Sequence, residues 1–269
     1  MSLPFYFEAA EGPELPLLVS VPHTGTEVPP EIAARFASAE VSALPDTDWH
    51  LQRLYDFVPR LGARLLCARY SRYVIDLNRA PDSAPLYPGR FETTLVPTRT
   101  FQGGPIYAPG AEPTPDEVRQ RLGAYWEPYH ARLTRELAEL KQRHGYALLW
   151  DAHSIRTQVP LLFEGSLPAL VLGDALGHSA HPALSKALLT VFAESPYPHS
   201  HNHPFRGGYI TRQYGKPYDG VHALQLEMAR ATYMSEDAPF AYDLVRASQL
   251  AETLRAALTA YAAAAQKRL

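Results

Sequence analysis

The segment of residues 146–154 places an aspartate, a histidine and a serine at the end of an apolar run. Asp151 and His153 are two residues apart, so they point to the same face of a strand. An apolar run of this length predicts a strand that is covered on both faces of an α/β sheet, and ligands of such sheets gather at the carboxyl ends of the strands. His153 is therefore a candidate metal ligand that Asp151 would orient. The alternative interpretation is a structural, hydrogen-bonded histidine.

A second histidine follows a second apolar run. Residues 17–21 predict a short strand, and His23 comes directly after Pro22. Two strands of one sheet that each end at a histidine can bring two imidazoles to one ion. The alternative is an unrelated loop histidine.

A carboxylate is the expected third ligand. Asp46 and Asp48 precede an amphipathic segment that begins at Leu51, and Asp46 or Thr47 is a candidate cap for the helix predicted there. Two imidazoles, one carboxylate and an open position form a hydrolytic zinc site, for which Asp48 is the preferred ligand and Asp46 the rival. The single cysteine, Cys67, excludes an internal disulfide and any zinc site built on several cysteines.

Asn78 and Arg79 follow residues 73–77, which we predict to be a strand. An arginine at a strand end can hold a substrate carboxylate through two parallel N–H bonds, and Asn78 adds an amide donor and acceptor. An ion pair between Arg79 and a neighbouring aspartate is the alternative.

A glycine pair lies after a group of histidines. Gly207 and Gly208 could offer backbone N–H groups to a ligand that approaches closely, and Arg206 supplies charge beside them. The alternating histidines of residues 199–203 suggest a metal site, but the Pro-Phe-Arg-Gly-Gly sequence that follows favours a binding loop instead.

Glu227 follows the apolar run of residues 221–226 and is our candidate general base. Its position at a predicted strand end is the same as that of the two histidines. A helix-start pair with Arg230 explains the same local sequence, and the residues alone do not separate the two interpretations.

The remaining pattern predicts an α/β chain folded as a single domain over residues 1–269. Further strands are predicted at residues 64–68, 159–163 and 169–172, and helices at parts of 29–43, at 115–144 and at 237–264. Residues 81–117 are rich in Pro, Gly and Thr and contain Tyr87; they suit either a substrate lid or an ordered excursion.

Composition excludes several classes of partner. A formal net charge of -3 argues against a nucleic-acid or anionic membrane surface, which needs a concentrated basic face. The first fourteen residues do not have the pattern of a signal peptide, and no run predicts a transmembrane helix, so cytoplasmic residence is expected. The sequence gives no indication of oligomeric state.

Six ordered motifs together closely resemble the N-formylglutamate amidohydrolase family over residues 15–235. They are residues 20–25, 46–48, 74–79, 151–154, 202–209 and 226–227. That family is similar in fold and site to the zinc carboxypeptidases. The resemblance therefore implies a three-layer α/β/α domain with a mixed central sheet.

The resemblance also implies residue roles. His23, Asp48 and His153 would bind Zn²⁺ or another divalent metal. Carboxypeptidases carry a glutamate three residues after the first histidine, but Thr26 stands there in this chain. The carboxylate ligand must therefore come from elsewhere, which keeps Asp46 as a rival. In the same way the resemblance assigns Asn78 and Arg79 to the substrate carboxylate and Glu227 to acid/base catalysis.

The activity that the resemblance implies is hydrolysis of N-formyl-L-glutamate to formate and L-glutamate, a step of histidine degradation. A small dianionic substrate explains why arginines stand beside strand-end motifs in a chain of mildly negative charge. Two alternatives remain: a zinc amidohydrolase or carboxypeptidase that acts on another N-acyl amino acid or peptide, and a non-catalytic binding protein for an acidic small molecule.

Overall fold

A seven-stranded mixed sheet organises the computed structural model, which describes residues 3–84 and 91–269. The strands are β1 (Phe5–Glu8), β2 (Leu17–Val21), β3 (Arg64–Ala68), β4 (Ala147–Ile155), β5 (Leu170–Gly173), β6 (His199–His201) and β7 (Val221–Ala229). Their order is β1-β3-β2-β4-β7-β5-β6. The four strands β3, β2, β4 and β7 are parallel, whereas β1 and β5 run antiparallel to β3 and β7. The carboxyl ends of the parallel strands therefore meet at one edge of the sheet.

Helices cover both faces of this sheet. They are α1 (Pro30–Ala33), α2 (Ala39–Ser42), α3 (Leu51–Leu54), α4 (Pro115–Arg121), α5 (Glu127–His144), α6 (Pro182–Glu194), α7 (Tyr209–Tyr214) and α8 (Leu244–Arg268). On β4, Leu148 and Trp150 pack with α3, α6 and α8, whereas Ala147 and Leu149 pack with α5 and α7. The predicted three-layer α/β/α class is thus confirmed. Within the two described ranges, no helix is both long and apolar enough to span a membrane.

The helical region predicted at residues 115–144 is present as α4, a π-helical turn (Leu122–Trp126) and α5. Thr114 caps its start by accepting a hydrogen bond from the Glu117 backbone N–H, and Pro115 occupies the first turn. Gly145, with a φ of 84°, ends α5 in the left-handed conformation that glycine adopts without strain.

Two of the predicted strands are wrong. Residues 73–77 form hydrogen-bonded turns, in which Val74 N donates to Ser71 O, and residues 159–163 form a turn in which Leu162 N donates to Val159 O. Val74 and Val159 are fully buried, each in a small hydrophobic cluster beside the sheet. A short apolar run indicates that a segment is buried, but it does not show whether the segment pairs in a sheet. These two loops are buried and unpaired.

One predicted helix start and one predicted helix cap are also wrong. The last helix begins at Leu244 rather than at residue 237, because Asp243 accepts the N–H bonds of the first turn. Helix α3 has only four residues and begins after His50, which adopts the left-handed conformation. Neither Asp46 nor Thr47 caps it.

The segment of residues 81–117 is an ordered excursion where the structure describes it. Phe101 and Tyr107 are buried, and Tyr107 forms a β-bridge with Phe36. Tyr87 lies outside the described residues, so the lid function remains a prediction.

Candidate active site

The parallel strands deliver the predicted site residues to one edge of the sheet. The register of β4 and β7 pairs His153 with Glu227 and Asp151 with Gln225. On the other side of β4, β2 ends at Val21 and the chain continues to His23. Because His153 and Glu227 are strand neighbours, their side chains emerge side by side on one face.

His23, Asp48 and His153 form one buried cluster. Their candidate ligand atoms all lie within 4.8 Å of one another. Asp48 Oδ2 is 3.3 Å from His153 Nδ1 and 3.8 Å from His23 Nδ1, and the two Nδ1 atoms are 3.2 Å apart. The structure thus brings together the two histidines and the preferred aspartate that the sequence proposed as a ligand set.

The orientation of both imidazoles is set by a second aspartate behind each ring. His23 Nε2 is 2.7 Å from Asp76 Oδ1, and His153 Nε2 is 3.0 Å from Asp151 Oδ1. Each Nε2 therefore carries the proton that its aspartate accepts, so both Nδ1 lone pairs face Asp48 and each other. Two imidazole lone pairs and a carboxylate aimed at one point fit a divalent cation. The donor set of this chain therefore suits the metal that the resemblance implies.

The electrostatics of the cluster differ between its two histidines. Burial and the nearby Arg72 lower the pKa of His23. Burial opposes protonation of His153, but the attraction and hydrogen bond of Asp151 and the hydrogen bond of Asp48 raise its pKa well above the usual value. Burial likewise opposes ionisation of Asp48, yet His153, His23 and Arg72 together lower its pKa. The cluster therefore favours an ionised Asp48 beside a positive charge, and a metal bound at the two Nδ1 atoms would take the place of the second proton of His153.

The rival aspartate serves a different purpose. Asp46 Oδ2 accepts hydrogen bonds from the Tyr73 hydroxyl at 2.7 Å and from Phe101 N at 2.8 Å. Asp48 Oδ2, in contrast, accepts from Ser154 N at 3.0 Å, directly beside His153. Asp46 thus ties two loops together, and Asp48 is the carboxylate of the cluster.

Asp76, Arg72 and Thr211 support the cluster and were not identified from the sequence as supporting residues. Arg72 donates to Asp76 Oδ2 at 2.6 Å and to His23 Nδ1 at 3.3 Å. Thr211 Oγ1 donates to Asp151 Oδ2 at 2.9 Å. These contacts depend on how loops and α7 fold over the sheet edge, and residue spacing carries no signal for them.

Arg79 lines the same cavity as the cluster, and its known partners are uncharged. Nε donates to Thr93 O at 2.8 Å, Nη2 to Thr93 Oγ1 at 3.1 Å and Nη1 to Asn78 O at 3.0 Å. Across the described ranges, no carboxylate forms an ion pair with Arg79. The alternative of a structural Arg79–aspartate pair is therefore wrong for these residues.

Asn78 is buried between the cluster and α7. Its Oδ1 accepts from Ile210 N at 2.8 Å, and its Nδ2 lies 3.1 Å from His153 Nε2. Gly208 packs so closely that a Cβ there would lie 2.3 Å from Asn78 Nδ2. Of the Asn78 side chain, the Nδ2 N–H groups rather than Oδ1 are thus the ones that could bind a ligand. A residue larger than glycine at position 208 would clash with this side chain.

The glycine loop is built differently from the sequence hypothesis. Gly208 N donates to Gln225 Oε1 at 2.7 Å, so this N–H group is bound within the protein. Gly207 adopts a φ of 107°, which favours glycine. Arg206 lines a separate cavity with His178 and does not line the central one. A direct role of Arg206 at the cluster therefore has no support in the geometry.

Glu227 lies in the wall of the central cavity, next to the cluster. Burial raises its pKa to about 8, and Gln225 Nε2 donates to its Oε2 at 3.2 Å. Arg230 donates instead to Pro45 O, and in the part of the chain that the structure describes it makes no ion pair with Glu227. The structural-pair alternative is therefore wrong. Gln225, which links the glycine loop to Glu227, was not identified from the sequence.

A mixed α/β/α fold with a buried His/Asp/His set and a buried glutamate at its sheet edge defines a hydrolase of the amidohydrolase type. The chain belongs to the N-formylglutamate amidohydrolase family, whose family model matches residues 15–234. The resemblance found in the sequence is thereby confirmed.

Named relatives span almost the whole chain. N-formylglutamate deformylase of Pseudomonas aeruginosa is 50% identical over 245 residues, which are 91% of this chain and 90% of that protein. The enzyme of the same name from Pseudomonas putida is 47% identical over 239 residues, 88% of this chain and 89% of the relative.

Solved structures agree with the fold. N-formylglutamate amidohydrolase from Ralstonia eutropha JMP134 superposes with a TM-score of 0.83 at 30% identity, covering 96% of this chain and 97% of that chain. A gene product from Agrobacterium tumefaciens superposes with a TM-score of 0.74 at 19% identity, covering 97% and 96%. The second likeness concerns the fold alone.

Proposed function

We propose that this chain hydrolyses the formyl amide of N-formyl-L-glutamate to formate and L-glutamate, as a step of histidine degradation. The observation that carries the proposal is the presence, in one buried cavity, of the His23/Asp48/His153 donor set, Glu227 and Arg79. The names of the two Pseudomonas relatives support the substrate.

His23, Asp48 and His153 would hold the metal through two imidazole nitrogens and one carboxylate oxygen. This set of two nitrogen ligands and one oxygen ligand, with room for a further ligand, suits zinc, and other divalent ions remain candidates. A metal bound there would supply Lewis acidity, which polarises the formyl carbonyl and lowers the pKa of water. Asp76 and Asp151 keep the two rings oriented for this purpose.

Arg79 would bind a carboxylate of the substrate. Its partners Thr93 and Asn78 are neutral, so their hydrogen bonds orient the guanidinium without neutralising its charge. Arg72 is the other arginine in the cavity wall, but its charge is compensated by Asp76 at 2.6 Å. Arg79 is therefore the better anchor for an incoming anion.

Glu227 would accept a proton from the attacking water and deliver it to the leaving nitrogen. Gln225 holds one oxygen of the Glu227 carboxylate, which leaves the other oxygen for the water. A divalent cation beside Glu227 would favour its ionised form by Coulomb attraction, against the effect of burial.

The test combines metal analysis with a formate-release assay on the purified protein. We expect one divalent ion per chain and formate release from N-formyl-L-glutamate, with activity lost to a chelator and restored by zinc. A zinc-loaded protein that bound N-formyl-L-glutamate without turnover would support the binding-protein alternative. Faster hydrolysis of another N-acyl amino acid or a peptide would support the other alternative.

A further inference from the structure

The central cavity has two chemically different sides. One side carries the metal-ligand cluster, Glu227 and Arg79. The other side, which we call the apolar wall, consists of Phe101, Ile155, Leu162 and Phe205. All four residues of the apolar wall pack in one hydrophobic cluster. No part of the reaction described above uses this wall.

The apolar wall reaches the reacting end of the cavity. The Arg72 guanidinium carbon lies 4.6 Å from the Phe101 ring centroid, and Arg72 itself contacts His23. Ile155 ends β4 two residues after His153. The apolar wall therefore adjoins the metal-ligand cluster.

An amide substrate has two ends, and their placement follows from these positions. If Arg79 binds a carboxylate on the amine side, the acyl side of the scissile amide extends away from Arg79. The group attached to the acyl carbon then faces the apolar wall. In a formyl amide that group is a hydrogen atom, so the wall can lie close to the carbonyl carbon.

A larger groove lies behind part of the wall. The central cavity has a volume of about 100 Å³, and the neighbouring groove has a volume of about 640 Å³. Residues that line the groove include Phe91, Leu161, Leu162, Phe163, His203 and Pro204. Phe91, Leu162 and Pro204 line both spaces. Leu162 has a flexible aliphatic side chain that lines both spaces, so we expect that shortening it extends the central cavity towards the groove.

We propose that Leu162 is a specificity-determining residue that limits the acyl group to formyl. The inference rests on the proposed deformylase function and adds to it the reason for acyl selectivity. An acetyl or propionyl group would meet Leu162 and could not bring its carbonyl to the cluster. A hydrophobic pocket that lacks room for one carbon discriminates by about 10-fold to 200-fold.

The test compares three N-acyl-L-glutamates, with formyl, acetyl and propionyl groups, by the rate of glutamate release, which is the same product for all. In the Leu162→Ala variant, we expect kcat/KM for the acetyl and propionyl substrates, relative to formyl, to rise by at least about 10-fold. Leu161→Ala is the matched control, because Leu161 lines the groove but not the central cavity. Its ratios should equal those of the wild type.

A second variant, Leu162→Val, and a second substrate series, N-formyl amino acids with larger side chains, complete the test. Leu162→Val, which removes one carbon, should shift the ratios in the same direction by less, and it decides the matter if the alanine variant does not fold. Unchanged ratios in a folded Leu162 variant, or an equal gain in Leu161→Ala, would overturn the proposal. So would a gain confined to N-formyl amino acids with larger side chains, since the groove would then receive the amino-acid side. Failure of the wild type to release formate would instead overturn the deformylase function itself.

Discussion

The metal-ligand cluster and the Arg79 region lie in one cavity but are supported in opposite ways. Behind the cluster stand charged groups: Asp76 holds His23, and Asp151 holds His153. Behind Arg79 stand neutral groups, namely the carbonyl and hydroxyl oxygens of Thr93 and the carbonyl oxygen of Asn78. One side thus collects negative charge, while on the other side no carboxylate among the described residues forms an ion pair with Arg79.

This difference matches the charge of what each side is proposed to bind. Aspartates behind the imidazoles raise their basicity and add attraction for a cation. Neutral oxygens behind Arg79 fix the guanidinium without competing with a substrate carboxylate. The backbone of the Arg79 region is held by neutral donors too, because Trp126 Nε1 donates to Arg79 O and His130 Nε2 donates to Leu77 O. Removing a supporting carboxylate should therefore damage the first side, whereas the second side depends on the guanidinium of Arg79 itself.

The largest expected effect comes from removing charge within the cluster. Asp48→Asn keeps an oxygen for the Ser154 N–H bond but loses the anionic ligand. We expect most bound metal to be lost and turnover to fall on the order of 10³-fold or more, since a catalytic metal contributes several kcal/mol. Metal content and formate release measure the two effects.

Asp46→Asn is the matched control for this variant. It keeps the hydrogen bonds from Tyr73 and Phe101 and lies outside the cluster, so metal content should be normal. If Asp46→Asn lost its metal and Asp48→Asn retained it, the ligand assignment would be reversed.

Glu227→Gln should have the next largest effect, because it removes a base without removing a ligand. Retained metal and substrate binding with a fall in formate release of about 10²-fold to 10⁴-fold would be the expected result. Glu136→Gln provides a buried carboxylate control on α5, remote from the cavity. It should change stability but not turnover. Normal turnover of a folded Glu227→Gln protein would require another general base.

Arg79→Lys tests the Arg79 region. The charge is retained but the two-pronged geometry is lost, so KM for N-formyl-L-glutamate should rise by roughly 10-fold while kcat changes little. A neutral N-formyl amino acid amide should show little change in KM. Equal losses on both substrates would exclude Arg79 from carboxylate recognition.

The comparison also explains which parts of the site could be predicted from the sequence. His23, His153 and Glu227 follow or end apolar runs that are strands, and parallel strands bring their carboxyl ends together. Their common location therefore followed from pattern alone. The preference for Asp48 over Asp46 agrees with the cluster in the structure. The capping role proposed for Asp46 or Thr47 was wrong.

The parts that could not be predicted depend on loops. Residues 73–77 were predicted as a strand because they are apolar, but they are buried turns that place Arg72 and Asp76 behind His23. The 159–163 turn, which carries Leu162, was misassigned for the same reason. Burial of a loop is set by tertiary packing, and a short apolar run has the same composition in either case.

The smallest expected effect concerns the neutral support of the Arg79 region and its response to acid. His130 stacks on the Trp126 ring with the ring centroids 3.7 Å apart, and burial lowers its pKa from 6.5 to about 4. Its Nδ1 lies 2.9 Å from the Tyr214 hydroxyl while Nε2 bonds Leu77 O. The folded state therefore holds a neutral imidazole, despite weak attraction from Asp151.

The direction of the pH effect follows from this lowered pKa. The stability that His130 contributes is fully present above about pH 6.5 and is lost as the pH falls towards 4, because the unfolded chain then binds a proton that the folded state does not. At about 1.4 kcal/mol per pKa unit, the loss is at most roughly 3 kcal/mol. His130→Gln keeps a donor and an acceptor without this titration. Denaturant titration from pH 7 to pH 4 measures the unfolding free energy of both proteins. As the pH falls over this range, the wild type should lose more unfolding free energy than the variant. A constant difference would show that His130 is not held neutral in the fold.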